Sequence, residues 1–164
     1  MDVTVSVDTK AWEDSLDLLL ALAHSASKDA SVEAAHAIQD EAQQYLTAKQ
    51  HPPHTKTPSF PGEPPAAIST DLAVSVWVDD NPAEGQAEVG PTTDYGRIQE
   101  LGGHMSGHPY MRWVEDGRVH YSAGHDLPPR PYLLPATERL IDTGEITAIY
   151  YDHWLRAQQD VTGP

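Results

Sequence analysis

An α+β fold is predicted, with helices packed on a small antiparallel sheet and its hairpin. Three observations predict it. Apolar residues recur at helical spacing from Trp12 to about residue 50. Alternation and turn residues replace that spacing between Leu72 and Ser122, and it returns from Leu133 to Gln158. The 164 residues suit a single domain spanning 1–164, with no internal repeat.

Residues 2–7 alternate apolar and polar through Val3, Val5 and Val7, as a short strand would. Asp8 or Thr9 can cap a following helix by accepting an orphan backbone N–H. That helix carries Trp12, Leu16, Leu19, Leu20 and Ala23, then a polar break from Ser25 to Ser31. Its spacing resumes at Val32, Ala35, Ile38, Ala42, Tyr45 and Leu46. The pattern predicts a long N-terminal element, either one kinked helix or two in tandem, ending near Gln50.

Residues 51–70 hold six prolines and a glycine. Proline removes backbone donors and disfavours helix at the residue before it, so this is an extended arm or loop. Leu72, Val74, Val76 and Val78 alternate and predict one strand face, followed by a turn at Asp79, Asp80, Asn81, Pro82 and Gly85. Gln86 to Val89 is the returning strand. Thr93 to Leu101 has the spacing of a short helix, with Tyr95, Ile98 and Leu101 three residues apart, and Gly102-Gly103 stops it.

Residues 102–128 form a loop and hairpin. Tyr110–Val114 and Arg118–Ser122 flank Glu115-Asp116-Gly117, and an Asp-Gly pair favours a tight hairpin turn. Pro128, Pro129 and Pro131 hold Arg130 in extended backbone ahead of the last helix, Leu133 to Gln158. Gly144 is placed to bend or break that helix, whose apolar side includes Leu140, Ile141, Ile149, Trp154 and Leu155.

Charge narrows the function classes. The formal net charge is −15, with carboxylates along the whole chain; the four Lys precede residue 57 and the six Arg follow residue 96. A surface this acidic repels phosphate, which argues against grip on DNA or docking on an anionic membrane. The first residues lack the basic and apolar regions of a signal peptide, and the apolar run Leu18–Ala23 is too short to cross a bilayer. With no cysteine, disulfides and thiolate metal sites are excluded.

Catalytic patterns are weak. His104 and His108 are four apart and His120 and His125 five apart, which raises a metal-enzyme alternative. But glycines and Pro109 oppose the helix that would align the first pair, and no carboxylate stands where a metalloprotease base would. There is no phosphate-binding loop, nucleophile elbow or basic recognition helix. The expectation is no enzyme, no catalytic residue, no metal and no cofactor. A small acidic module that binds a basic protein remains a further alternative.

Two segments carry a more specific signal: Tyr95-Gly-Arg-Ile-Gln-Glu-Leu-Gly-Gly103 and Pro128-Pro-Arg-Pro-Tyr-Leu-Leu-Pro-Ala136. Together, with the hairpin between them and Pro61-Gly-Glu-Pro-Pro65 upstream, they resemble the tail-completion or neck protein family of long-tailed bacteriophages. The likeness spans roughly residues 60–140. Family members commonly carry an arginine, threonine, glycine, x, leucine run before the first strand; here Ala67-Ile-Ser-Thr-Asp-Leu72 lacks the arginine and the glycine.

The resemblance implies a virion structural protein of the neck, made in the host cytoplasm, that forms a ring, hexameric by family likeness, between a head-side connector and the tail terminator or tail tube. Stopper and terminator are the neighbouring alternatives. It implies subunit or ring contacts through Tyr95, Ile98, Leu101, Arg130, Pro131, Tyr132 and Leu133, though the first three read as core before interface. Arg130 is a planar fork suited to a carboxylate or to carbonyls at a seam, or to a pair within its own subunit. Double-stranded DNA would pass through without specific binding, past carboxylates for which Asp79, Asp80, Glu84, Glu115 and Asp116 are the candidates. No membrane partner is expected.

Overall fold

The computed structural model describes residues 8–53, 55, 59–80, 86–105, 111–115, 117–122 and 124–162. Its first element is a single uninterrupted helix, α1 (Lys10–Thr47), neither split nor in tandem. Asp8 Oδ1 accepts from Lys10 N–H at its start (3.1 Å), and Thr9 Oγ1 donates to Glu13 Oε1 (2.8 Å). The predicted break is bridged because its packed positions are small: Ala26 and Ala30 are buried, and Ser31 Oγ donates to Ser27 O (2.8 Å). The alternating segment 2–7 lies outside the described residues.

The strand expected from Leu72 begins four residues later. Asp71–Ser75 is a short helix, α2, and β1 covers only Val76–Asp79. Alternation would bury Val74, yet it is 75% exposed, while Ala73 and Val76, three apart, enter the core. Ser75 Oγ donates to Leu72 O (2.7 Å) and closes the turn. β2 (Glu88–Pro91) pairs antiparallel with β1, Val78 opposite Val89, two residues later than the expected return. Of the expected turn, Asn81 to Gly85 lie outside the described residues.

α3 (Asp94–Leu101) follows as expected and stops at Gly102, which has φ 68°. β3 (Gly103–Met105), β4 (Met111–Glu115), β5 (Arg118–Ser122) and β6 (His125–Leu127) complete the strands. β4 and β5 form the expected hairpin, with Glu115 opposite Arg118; β3 pairs with β6. Among the described residues the strands make three separate two-stranded pairs rather than one sheet.

The last helical stretch divides at Gly144 into α4 (Leu133–Asp142) and α5 (Glu145–Thr162). Gly144 has φ 78° and its amide donates to Ile141 O (3.0 Å), a left-handed residue ending α4. A Cβ there would meet nothing within 4 Å, so only backbone strain opposes a side chain. Gly144→Ala is expected to lower stability by about 1 kcal/mol, measured by urea unfolding. No loss would mean the backbone relaxes at this joint.

α5 runs back along α1. Arg139 of α4 pairs with Glu41, Tyr150 bonds Ser31 (2.9 Å), and His153 bonds Glu33 (2.7 Å). The core lies where α1 meets α2, β1 and α4: Ala42, Leu46, Ala73, Val76, Tyr132 and Ala136. Small residues dominate it, in keeping with the single Phe of the sequence. No helix among the described residues is long and apolar enough to cross a membrane.

Candidate functional site

The two segments singled out in the sequence meet in one joint. Glu100, near the end of α3, reaches the first turn of α4, a helix whose N-terminal amides have no partner of their own. Its Oε2 accepts from the backbone N–H of Tyr132 (2.7 Å) and Leu133 (3.0 Å), and its Oε1 from that of Leu134 (2.9 Å). A carboxylate also suits the positive end of the helix dipole. The Arg130 amide donates to Gln99 O (2.7 Å), and Tyr132 Oη donates to Gly96 O (3.3 Å).

Close approach makes the joint possible. A Cβ on Gly102 would lie 2.8 Å from Leu127 O and 2.9 Å from Pro129 N, so the chain leaving α3 presses directly on the proline run. The Pro-rich stretch joins from the other side: Gly62 N–H donates to Pro129 O (2.9 Å). That stretch is a loop folded back on the end of α1. His51 N–H bonds Ala67 O (3.0 Å), Ala67 N–H bonds Lys49 O (2.8 Å), and the His51 ring contacts Pro52 O and Ala66 O.

The candidate residues fall into different settings. Tyr132 has no exposed surface; it is core, so its ring cannot itself meet another subunit. Pro131 and Leu133 are half-buried beside it. Tyr95 and Leu101 are exposed, at 46% and 65%, and so are not core; Ile98 is half-buried. Arg130 lines a cavity of about 330 Å³ with His51, Thr55, Ser59 and Gln99, and its buried Nε has no hydrogen-bond partner. Among the described residues no carboxylate forms an ion pair with this guanidinium.

Asp79 and Asp80 are exposed where β1 ends. Glu84 and Asp116 lie outside the described residues, as does the Glu115 side chain, so the five carboxylates are not brought into one described surface. His104 faces Asp126 across the β3–β6 pair, Nδ1 to Oδ1 2.8 Å. His108 is outside the described residues. Among the described residues no three histidine or carboxylate side chains are grouped for a metal ion.

Glu100, which organises the joint, was missed as a functional residue: its helix partner begins 33 positions on, and no local pattern marks it as a cap. Glu41 was missed too. It is buried in α1 and held by Arg139.

Burial pushes the Tyr132 phenol well above its ordinary range near pH ~10, and the Glu100 carboxylate and the Tyr95 ring add to the shift. Tyr45 is raised by burial first and by Glu41 second. A raised phenol favours the fold fully below the unfolded value and loses that advantage as pH climbs past it. Unfolding free energy should therefore fall above about pH 10, by up to ~1.4 kcal/mol per pH unit through Tyr132. Tyr132→Phe should flatten the fall; an unchanged alkaline limb would remove Tyr132 from the account.

No protein-family model, curated protein or solved structure matches this chain.

Proposed function

We propose that the chain is a structural subunit of a tailed-bacteriophage neck, a copy in a ring that joins the head-side connector to the tail. The reading starts from the family resemblance of Tyr95–Gly103 and Pro128–Ala136. The observation that carries it further is that these segments, far apart in the chain, are bonded into one joint through Glu100, Gln99 and Tyr132.

The joint leaves part of itself unfilled. Tyr95 and Leu101 stand exposed on α3, and Arg130 sits beside a cavity with its Nε unpartnered. A carboxylate or carbonyl from a neighbouring copy would complete that fork. The net charge of −15 suits a channel wall that lets DNA pass without holding it, because phosphate is repelled rather than neutralised. Asp79 and Asp80 are the described carboxylates assigned to that wall.

The test is genetic and visual. Removing the gene from the phage that carries it should leave filled heads and complete tails of normal length that fail to join. Tails of abnormal length would instead favour the terminator reading. Normal infectious particles made without the protein would overturn the proposal.

A further inference from the structure

Arg130 is the cation of the joint, and the fold holds it there by its backbone. Its amide donates to Gln99 O (2.7 Å), prolines stand on either side, and Pro129 O accepts from Gly62 N–H (2.9 Å). The guanidinium carried on this frame is half-buried, and its Nε is closed to solvent with no hydrogen-bond partner. Buried polar groups in folded proteins are nearly always bonded, so an unmade bond at a charged group singles Arg130 out.

Nearby carboxylates do not serve it. The chain has 25 of them against six arginines, and two stand on the segments bonded to Arg130 and Pro129. Glu100 follows Gln99, but its oxygens are taken by the amides of Tyr132, Leu133 and Leu134. Glu63 follows Gly62, but it turns to Lys49 Nζ (3.6 Å) and to the Phe60 N–H (3.4 Å). Both carboxylates are committed, and the guanidinium is left over.

The cavity of about 330 Å³ beside it is lined with a guanidinium from Arg130, an amide from Gln99 and a hydroxyl from Ser59, which is 2% exposed. His51 and Thr55 line it too, but their polar atoms are engaged. The Thr55 hydroxyl donates to Pro52 O (2.7 Å), and the His51 ring nitrogens face Pro52 O and Ala66 O. Arg130 supplies the fixed positive charge.

We propose that this cavity binds a carboxylate, held by the Arg130 fork with Ser59 and Gln99 donating from the walls. A planar group with two oxygens matches the guanidinium edge. One fixed positive charge balances a monoanion. A phosphate dianion would leave a net negative charge close to Glu63 and Glu100, in a chain already at −15. The carboxylate belongs either to an Asp or Glu side chain of a neighbouring copy or to a free organic acid, and the chemistry is the same. The inference deepens the neck reading and rests on it only for the first of these sources.

The test is acetate, titrated into the isotope-labelled full chain against sodium chloride of equal ionic strength. Two magnetic-resonance signals report on the cavity: the Nε–H of Arg130, identified by its loss in Arg130→Lys, and the side-chain amide of Gln99. Both should move saturably, with half-saturation at roughly 10 mM or below, while chloride leaves them in place. In Arg130→Lys the Gln99 signal should need at least about tenfold more acetate, because an ammonium does not meet both oxygens in one plane. Arg97→Lys, at an exposed site on α3, should bind as the wild type does. Signals that do not saturate, that move equally in chloride, that respond to less phosphate than acetate, or that move as readily in Arg130→Lys overturn the site. The mass of the protein in the same samples separates the two sources. Copies that acetate takes apart identify a neighbour's side chain, and binding with no change of mass identifies a free acid. Failure of the site leaves the neck assignment standing, because removing the gene tests that separately.

Discussion

Tyr132→Ala should lower the unfolding free energy by about 4 kcal/mol, the usual loss when a fully buried aromatic ring is cut back to a methyl. Tyr132 has no exposed surface and sits among Ala42, Leu46, Ala73, Val76 and Ala136. Those neighbours are mostly small, so they have little side chain with which to collapse into the space left behind. In a domain of this size the melting point should fall by roughly 10 °C. Tyr132→Phe keeps the ring and loses only the bond to Gly96 O, so about 1 kcal/mol is expected. Equal losses for the two variants would mean that the hydroxyl, not the ring, holds the joint.

Glu100→Ala should cost about 3 kcal/mol, more than an ordinary helix cap, whose loss is typically ~1 kcal/mol. One carboxylate here serves three amides, of Tyr132, Leu133 and Leu134, and bonds to a charged acceptor are the stronger kind. Glu100→Gln retains one oxygen and loses the charge, so a loss of about 1 kcal/mol is expected. Thermal unfolding gives the ranking. Exchange at the three amides tells capping from general loosening, because only capping predicts that they change first. Wild-type stability in Glu100→Ala would show that water replaces the cap at no cost.

Much of the architecture was legible because its signals are local. The spacing from Trp12 to Leu46 gave the long helix, Asp116-Gly117 the hairpin, and Gly144 the division between α4 and α5. Two of the departures have separate local causes, and the first is a short window with two valid periods. Leu72, Val74, Val76 and Val78 alternate, but Ala73 and Val76 also share a helical face, and packing under α1 selected the helix. Serine and alanine between Ser25 and Ser31 read as a break because they are weakly apolar, although their small size is what lets α5 approach. The joint was legible only in part. Each segment could be recognised by its own residues, but the bonds of Glu100 to α4 depend on how residues 101–131 return, which no local pattern encodes.

The three strand pairs have a consequence of their own. A two-stranded ribbon alone is marginal in water, since it has one ladder and no third strand to share it. β1 and β2 escape this by lying on α1, whereas the β4–β5 hairpin packs chiefly on itself, and Val114, Val119 and Tyr121 face solvent. Opening the hairpin therefore exposes little that the core needs, and its free energy of opening is set locally rather than by global unfolding. The hairpin is therefore expected to exchange its amide protons at a lower opening free energy than the helical body does.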